Sequence, residues 1–182
     1  MALRRHRPTG RLFACLIAAC GLASGNAAAQ AVPEYELKAA FIYNFALFVD
    51  WPAEARKDGP FVLCLAGRDP FGAAIDALDG KPVKSQKLTV RRIPDLREPG
   101  GCHMLYIAPA EEFRLDRILE SIAGRPVLTI ADAEGWSGRG VMINLAMRQG
   151  RLVFDVNLDA VKRAGLNMSS RLLQLANSVS GR

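Results

Sequence analysis

A stretch at residues 34–49 that is mostly apolar after its first turns predicts the first helix of the domain. It is amphipathic only at its start, because no charge occurs between Ala39 and Val49 and Asn44 is the one clearly polar side chain there. Pro52 blocks its continuation. A helix that is apolar nearly all round must be covered on several sides. Two interpretations therefore stay open: the helix lies in the core, or part of it is a surface for a partner.

Shorter apolar runs then alternate with helical patterns. Four runs predict strands, at 61–66, 87–93, 103–107 and 126–130. Helices are predicted at 70–78 and 110–123, the second with Phe113, Ile118 and Ile122 as core contacts. A loop rich in proline and glycine is expected at 94–101.

The period changes to two between residues 141 and 158, where apolar residues alternate with their neighbours on both sides of Arg148-Gln149-Gly150. This pattern predicts an antiparallel hairpin. Helices are expected at 159–164 and 169–179, the latter capped by Ser169, with an inward stripe of Leu172, Leu173, Ala176 and Val179. The predicted fold is a single layered α/β domain with a mixed sheet of about six strands flanked by helices, in which the C-terminal hairpin is followed by helices.

The N-terminal segment predicts export. Four arginines (Arg4, Arg5, Arg7, Arg11) precede an apolar core at 12–19 and the sequence Ala27-Ala28-Ala29-Gln30-Ala31, the three-part pattern of a cleaved secretory signal. A helix that spans a membrane needs about 20 apolar residues, and this apolar core is shorter. We expect a signal peptide at 1–31 and a mature domain at 32–182. Ile17-Ala18-Ala19-Cys20 also resembles a lipobox, so Cys20 is a candidate for lipidation.

Export changes what the composition implies. Without the four signal arginines the formal charge falls from +6 to +2, which does not indicate nucleic-acid binding. Two cysteines remain, Cys64 and Cys102. In an oxidising compartment one disulfide is the favoured interpretation, and two buried thiols are the alternative.

The residues that follow the predicted signal exclude several classes of catalytic and metal site. His103 is the only histidine after residue 31, so a metal site built on several histidines is excluded. No G-x-S-x-G motif supplies a serine nucleophile, and His103 is interpreted as an ordinary strand residue. No catalysis and no cofactor are predicted.

The loop after the fourth strand is a candidate ligand site, because Asp132 and Trp136 follow the strand end where α/β sheets bind ligands. Alternatively, Trp136 caps the core.

Several segments, in order, resemble YfiR-like proteins, also described as DUF4154. The opening helix of that family is similar to Lys-Ala-Ala-Phe-Ile-Tyr-Asn-Phe at 38–45, continuing through Phe48 to Trp51-Pro52. Its central signature is similar to Leu-Thr-Ile-Ala-Asp at 128–132 and Gly-Val-Met-Ile-Asn at 140–144. Its C-terminal signature is similar to 154–157, 164–166 and 169–176.

The resemblance implies a non-catalytic periplasmic protein that binds and restrains the periplasmic part of an inner-membrane diguanylate cyclase, lowering cyclic di-GMP and biofilm formation. It also implies that Cys64 and Cys102 pair, whereas a second pair found in some relatives is absent. Membrane contact would occur only through the partner or a lipid on Cys20, and a homodimer stays open. The alternative function is a periplasmic small-ligand binder that uses the loop after the fourth strand. Candidate contact residues for a partner or ligand are Phe41, Asn44, Phe45, Phe48, Trp51, Asp132 and Trp136.

Overall fold

A computed structural model describes residues 33–55, 59–93 and 101–181. The predicted signal peptide at 1–31, with Cys20, and most of the predicted loop at 94–101 lie outside the described residues. The helices are α1 (Glu34–Phe48), α2 (Ala73–Asp76), α3 (Leu115–Ser121), α4 (Leu158–Arg163) and α5 (Ser170–Leu175). The strands are β1 (Val49–Asp50), β2 (Phe61–Ala66), β3 (Pro82–Val83), β4 (Gln86–Ile93), β5 (Met104–Ile107), β6 (Leu128–Ala131), β7 (Ile143–Arg148), β8 (Arg151–Asn157), β9 (Asn167–Met168) and β10 (Ser178–Ser180).

The main sheet has eight strands in the order β10-β8-β7-β6-β5-β2-β4-β3. Its five central strands, from β7 to β4, run parallel, and β8 and β3 are antiparallel to their inner neighbours. β1 and β9 form a separate two-stranded antiparallel sheet. The predicted α/β class with a mixed sheet is therefore confirmed. The strand count exceeds the predicted six because three two-residue strands and β10 are too short or too polar to produce a periodic signal.

Two hydrophobic cores lie on opposite faces of the main sheet. Side chains alternate across β2, so Leu63 and Leu65 belong to one core, and Cys64 and Ala66 belong to the other. The first core contains buried residues of α1, α2, α4 and α5. The second is covered by α3 and Trp136. Helices thus cover both faces, as parallel sheets require.

The helix predicted at 110–123 is only partly correct. Residues Pro109–Arg114 form a 3₁₀ segment, and the α-helix begins at Leu115. A 3₁₀ turn has three residues instead of 3.6, which shifts the phase of the pattern. Phe113, predicted to contact the core, is therefore fully exposed, whereas Leu115, Ile118 and Ile122 are buried.

The last predicted helix also ends early. Ser169 caps α5 as predicted, because its hydroxyl accepts the Leu172 N–H at 3.2 Å. The helix stops at Leu175 and the chain turns into β10, which pairs with β8. Asp155 of β8 accepts hydrogen bonds from the Asn177 amide at 2.7 Å and the Ser178 hydroxyl at 2.6 Å. These bonds and the strand pairing compete successfully with helix continuation.

The hairpin is formed by β7 and β8 as predicted. Arg148 pairs with Arg151, and the two loop residues Gln149 and Gly150 have φ of 50° and 73°. Positive φ at both loop positions is the geometry of a type I′ turn, whose twist matches that of paired strands. The sequence signal at 148–150 therefore marked the turn correctly.

Candidate functional site

Helix α1 carries apolar side chains on two opposite faces. Lys38, Ala39, Ile42, Phe45 and Ala46 form the buried face. The opposite face, here called the outer stripe, consists of Leu37, Ala40, Phe41, Asn44, Leu47 and Phe48, which are exposed or half-buried. It contains no charge, and Leu47 remains 38 % exposed. Helical spacing places these positions side by side, so the folded domain presents an uncharged helix surface.

The candidate aromatic residues of this region divide between core and surface. Phe45 and Trp51 are 1 % and 3 % exposed. Phe45 packs edge-on against Phe154 with ring centroids 5.1 Å apart, and Trp51 packs against Phe61 at 4.8 Å. Contact of Phe45 or Trp51 with a partner would require the core to open. Asn44 is exposed, whereas Phe41 and Phe48 are half-buried: they pack against the first core and also reach the surface. Leu47 was missed, although its position three residues after Asn44 is a signal for the same stripe.

A buried ionic network anchors the first turn of α1 to the sheet. The Lys38 ammonium donates to Asp132 Oδ2 at 2.6 Å and lies 2.5 Å from Glu34 Oε1. The Tyr106 hydroxyl donates to Asp132 Oδ1 at 2.6 Å. The side chains of Lys38 and Asp132 are only 5 % and 2 % exposed. Asp132 follows β6 at the carboxyl edge of the parallel strands, so it joins this edge to α1.

Burial, hydrogen bonds and charge shift the pKa values of Lys38 and Tyr106. Burial alone would lower the pKa of Lys38, but the hydrogen bonds to Asp132 and Glu34 outweigh burial and raise it. Burial, followed by the Asp132 charge, raises the pKa of the Tyr106 phenol. At neutral pH the network therefore holds a charged ammonium and a neutral phenol around Asp132. Sequence analysis missed Lys38. Its available signal was a single cation four residues after Glu34 at the start of an apolar helix.

The two candidate residues of the loop after β6 lie on opposite sides of the main sheet. Asp132 lies beneath α1, whereas Trp136 is 2 % exposed and belongs to the opposite core. Trp136 packs in that core as the alternative interpretation expected. The sheet separates the two side chains, so one small ligand cannot contact both without a change in the fold.

His103 is held in place by the backbone. Its Nδ1 accepts the Val62 N–H at 3.0 Å, and its Nε2 lies 2.9 Å from the Ala55 carbonyl. Accepting at one nitrogen and donating at the other requires the neutral ring. Burial lowers the pKa of His103, which favours the same form. With both nitrogens engaged, His103 has a structural role, although it lies immediately before β5 and not within the strand as predicted.

Cys64 and Cys102 form the predicted disulfide, with Cα atoms 5.8 Å apart. It joins β2 to the chain entering β5, and both sulfurs lie in the second core. The Arg91 guanidinium contacts them at 3.3 and 3.2 Å. The bond therefore cross-links adjacent parallel strands on the face covered by α3.

Two further structural findings and one comparison bear on the protein class. In the described part of the chain, no group of three or more His, Cys, Asp or Glu residues could hold a metal ion. No helix among the described residues combines the length and the apolar character needed to cross a membrane. A family model described as DUF4154, YfiR/HmsC-like, matches residues 35–177, which confirms the resemblance seen in the motifs. The chain therefore belongs to the YfiR/HmsC-like family, which at family level comprises periplasmic proteins that regulate diguanylate cyclase and are known as regulatory rather than catalytic.

Proposed function

We propose that this protein binds and restrains the periplasmic part of an inner-membrane diguanylate cyclase, and so lowers cyclic di-GMP and biofilm formation. The observation that supports the proposal is the outer stripe of α1. An uncharged surface built from Leu37, Phe41, Leu47 and Phe48 gains free energy when a partner removes it from water. Family membership supplies the class of the partner.

The buried network makes this helix a suitable contact element. Lys38 connects α1 to Asp132 at the sheet edge, while Phe45 and Ile42 pack into the first core. A surface on a helix held in this way loses little conformational entropy on binding, which favours affinity. Contact is expected at Phe41, Asn44, Leu47 and Phe48.

The test places a charge on the outer stripe. Leu47→Glu alters an exposed side chain, and Phe113→Glu is the matched control because Phe113 is an exposed apolar residue of the 3₁₀ segment before α3. Tagged exported protein would be purified from detergent-solubilised inner membranes, and captured proteins with a diguanylate cyclase domain would be identified by mass spectrometry. Cellular cyclic di-GMP would be measured in parallel.

We expect the wild type and Phe113→Glu to capture a cyclase and to lower cyclic di-GMP. Leu47→Glu should do neither, since a buried unpaired carboxylate is strongly unfavourable in an apolar interface. If the wild type captures no cyclase, the proposal fails. If Leu47→Glu behaves as the wild type does, the outer stripe is not the contact surface.

The proposal includes the location. Export by the signal at 1–31 places the domain in the periplasm, either free after cleavage behind Ala31 or tethered through a lipid on Cys20. Mass spectrometry of the processed N-terminus distinguishes these forms, because the first begins at Val32 and the second at a lipidated Cys20. Cytoplasmic recovery of the full-length chain would contradict both.

A further inference from the structure

A notch interrupts the main sheet beside the carboxyl end of β6. Ala131, the last residue of β6, pairs with Asn144, and β7 then continues to Arg148 with β8 as its only strand neighbour among the described residues. The space beside this overhang is a cavity of about 380 Å³, here called the β6–β7 notch. It is bounded by residues 144–148 of β7, by Asp132, Glu134 and Gly135, and by the first turn of α1.

Carboxylates outnumber cations around the notch. Its charged lining residues are Glu34, Asp132, Glu134, Asp155, Lys38 and Arg148. The Lys38 ammonium is balanced by Asp132 and Glu34, both within 2.6 Å. Arg148 lies 3.6 Å from Asp155 and is 60 % exposed. Glu134 adds an exposed negative charge at the rim. The notch therefore has a net negative charge and attracts cations.

A buried acceptor without a partner also lines the notch. Asn144 is 3 % exposed, and its side-chain Oδ1 has no hydrogen-bond partner within the described residues. Buried polar groups are nearly always paired in folded proteins. An unpaired acceptor in the wall of a polar cavity is satisfied when an N–H or O–H donor enters the cavity.

We propose that the β6–β7 notch binds a small organic cation rich in N–H donors, such as an amine or a guanidinium. The excess carboxylates supply the charge complement, and Asn144 Oδ1 accepts one N–H. The volume is that of a site for a small molecule. The described residues include no cluster of three or more metal-ligating side chains, so an organic cation fits better than a metal ion.

The experiment uses agmatine as the probe, titrated calorimetrically into the mature protein, with glutarate as the probe of opposite charge. Glu134→Gln removes one carboxylate at the rim of the notch. It should lower the affinity for agmatine about threefold, as expected for a partly exposed ion pair. Glu36→Gln is the matched control, because Glu36 is an exposed acid of α1 that does not line the notch. Its affinity for agmatine should equal that of the wild type.

Asn144→Leu separates binding from folding. Replacing an unpaired buried acceptor with an apolar side chain of similar size should leave the unliganded melting temperature unchanged or raise it. Agmatine should bind this variant about tenfold more weakly, since a hydrogen bond to a charged donor is lost. A folded variant with weakened binding is the expected result.

Three results would overturn the proposal: no binding of agmatine by the wild type, equal effects of Glu134→Gln and Glu36→Gln, or binding of glutarate in preference to agmatine. A fall in the unliganded melting temperature of Asn144→Leu would assign Asn144 a structural role instead. The measurements need only the purified domain. Their failure is therefore distinguishable from failure of the proposed cyclase contact.

Discussion

Replacement of Lys38 by methionine tests whether the buried network holds α1 to the sheet. The substitution keeps an unbranched side chain of similar length but removes the ammonium that donates to Asp132. The Asp132 side chain, 2 % exposed, would keep the Tyr106 hydroxyl at 2.6 Å and Tyr35 as neutral partners, but it would lose its cation. Removing one member of a buried ion pair leaves an uncompensated charge, which is strongly destabilising.

We expect a loss near the low end of the range for such pairs, about 3 kcal/mol, because Tyr106 still stabilises the carboxylate. For a domain of this size the melting temperature should fall by about 6–12 °C. The assay is urea unfolding followed by circular dichroism, supported by calorimetric melting. Adding Asp132→Asn removes the stranded charge and keeps an oxygen for Tyr106. The double variant should therefore recover about 1–2 kcal/mol relative to Lys38→Met.

Lys162→Met is the control, since Lys162 is an exposed helical lysine of α4. Its free energy of unfolding should change by no more than about 0.5 kcal/mol. A loss below about 1 kcal/mol in Lys38→Met would show that the network contributes little beyond a surface pair. Failure of Asp132→Asn to recover stability would refute the explanation based on a stranded charge.

Three further predictions concern the core and its cross-link. Burial lowers the pKa of His103 below its ordinary 6.5. The contribution of the neutral ring to the free energy of unfolding is therefore fully present above pH 6.5. It is lost as the pH falls through the lower pKa that His103 has in the folded state. Urea unfolding between about pH 7 and pH 5 should therefore show a slope that His103→Gln reduces; equal slopes would contradict this. Replacing Cys64 and Cys102 by alanine removes a cross-link spanning 38 residues and should lower the free energy of unfolding by about 4 kcal/mol, whereas an unchanged denaturation midpoint would refute it. In thermal melts, Phe113→Ser should change stability by less than about 0.5 kcal/mol, while Leu115→Ala should lower it by about 2–5 kcal/mol; the reverse order would restore Phe113 to the core.

Local sequence patterns predicted the long and strongly patterned elements. The first helix and the strands at 61–66, 87–93, 103–107 and 126–130 were predicted from their apolar runs, and the hairpin from period-two alternation on both sides of residues 148–150. The errors occur where the local geometry departs from these periods. The 3₁₀ segment at Pro109–Arg114 moved Phe113 outwards, and pairing with β8 ended the last helix at Leu175.

The candidate site was less accessible to sequence reasoning. Phe41, Asn44 and Phe48 were named together with Phe45 and Trp51, although only the first three reach the surface. The pattern of α1 could not separate these sets, because both faces of the helix are apolar. Which face is buried depends on the sheet that covers it, and that contact joins residues far apart in the chain.

By itself, the sequence determined the α/β class, the number of cysteines after the predicted signal, and the ordered motifs that identify the family. These properties depend on local pattern and residue identity. Tertiary structure alone decided that Lys38 is buried beside Asp132, that Asp132 and Trp136 lie on opposite faces, and that Asn144 borders a notch. Each of these depends on strand order and on where β6 stops beside β7. Burial and electrostatic pairing are properties of neighbouring segments in space, so they are decided only when the sheet is assembled.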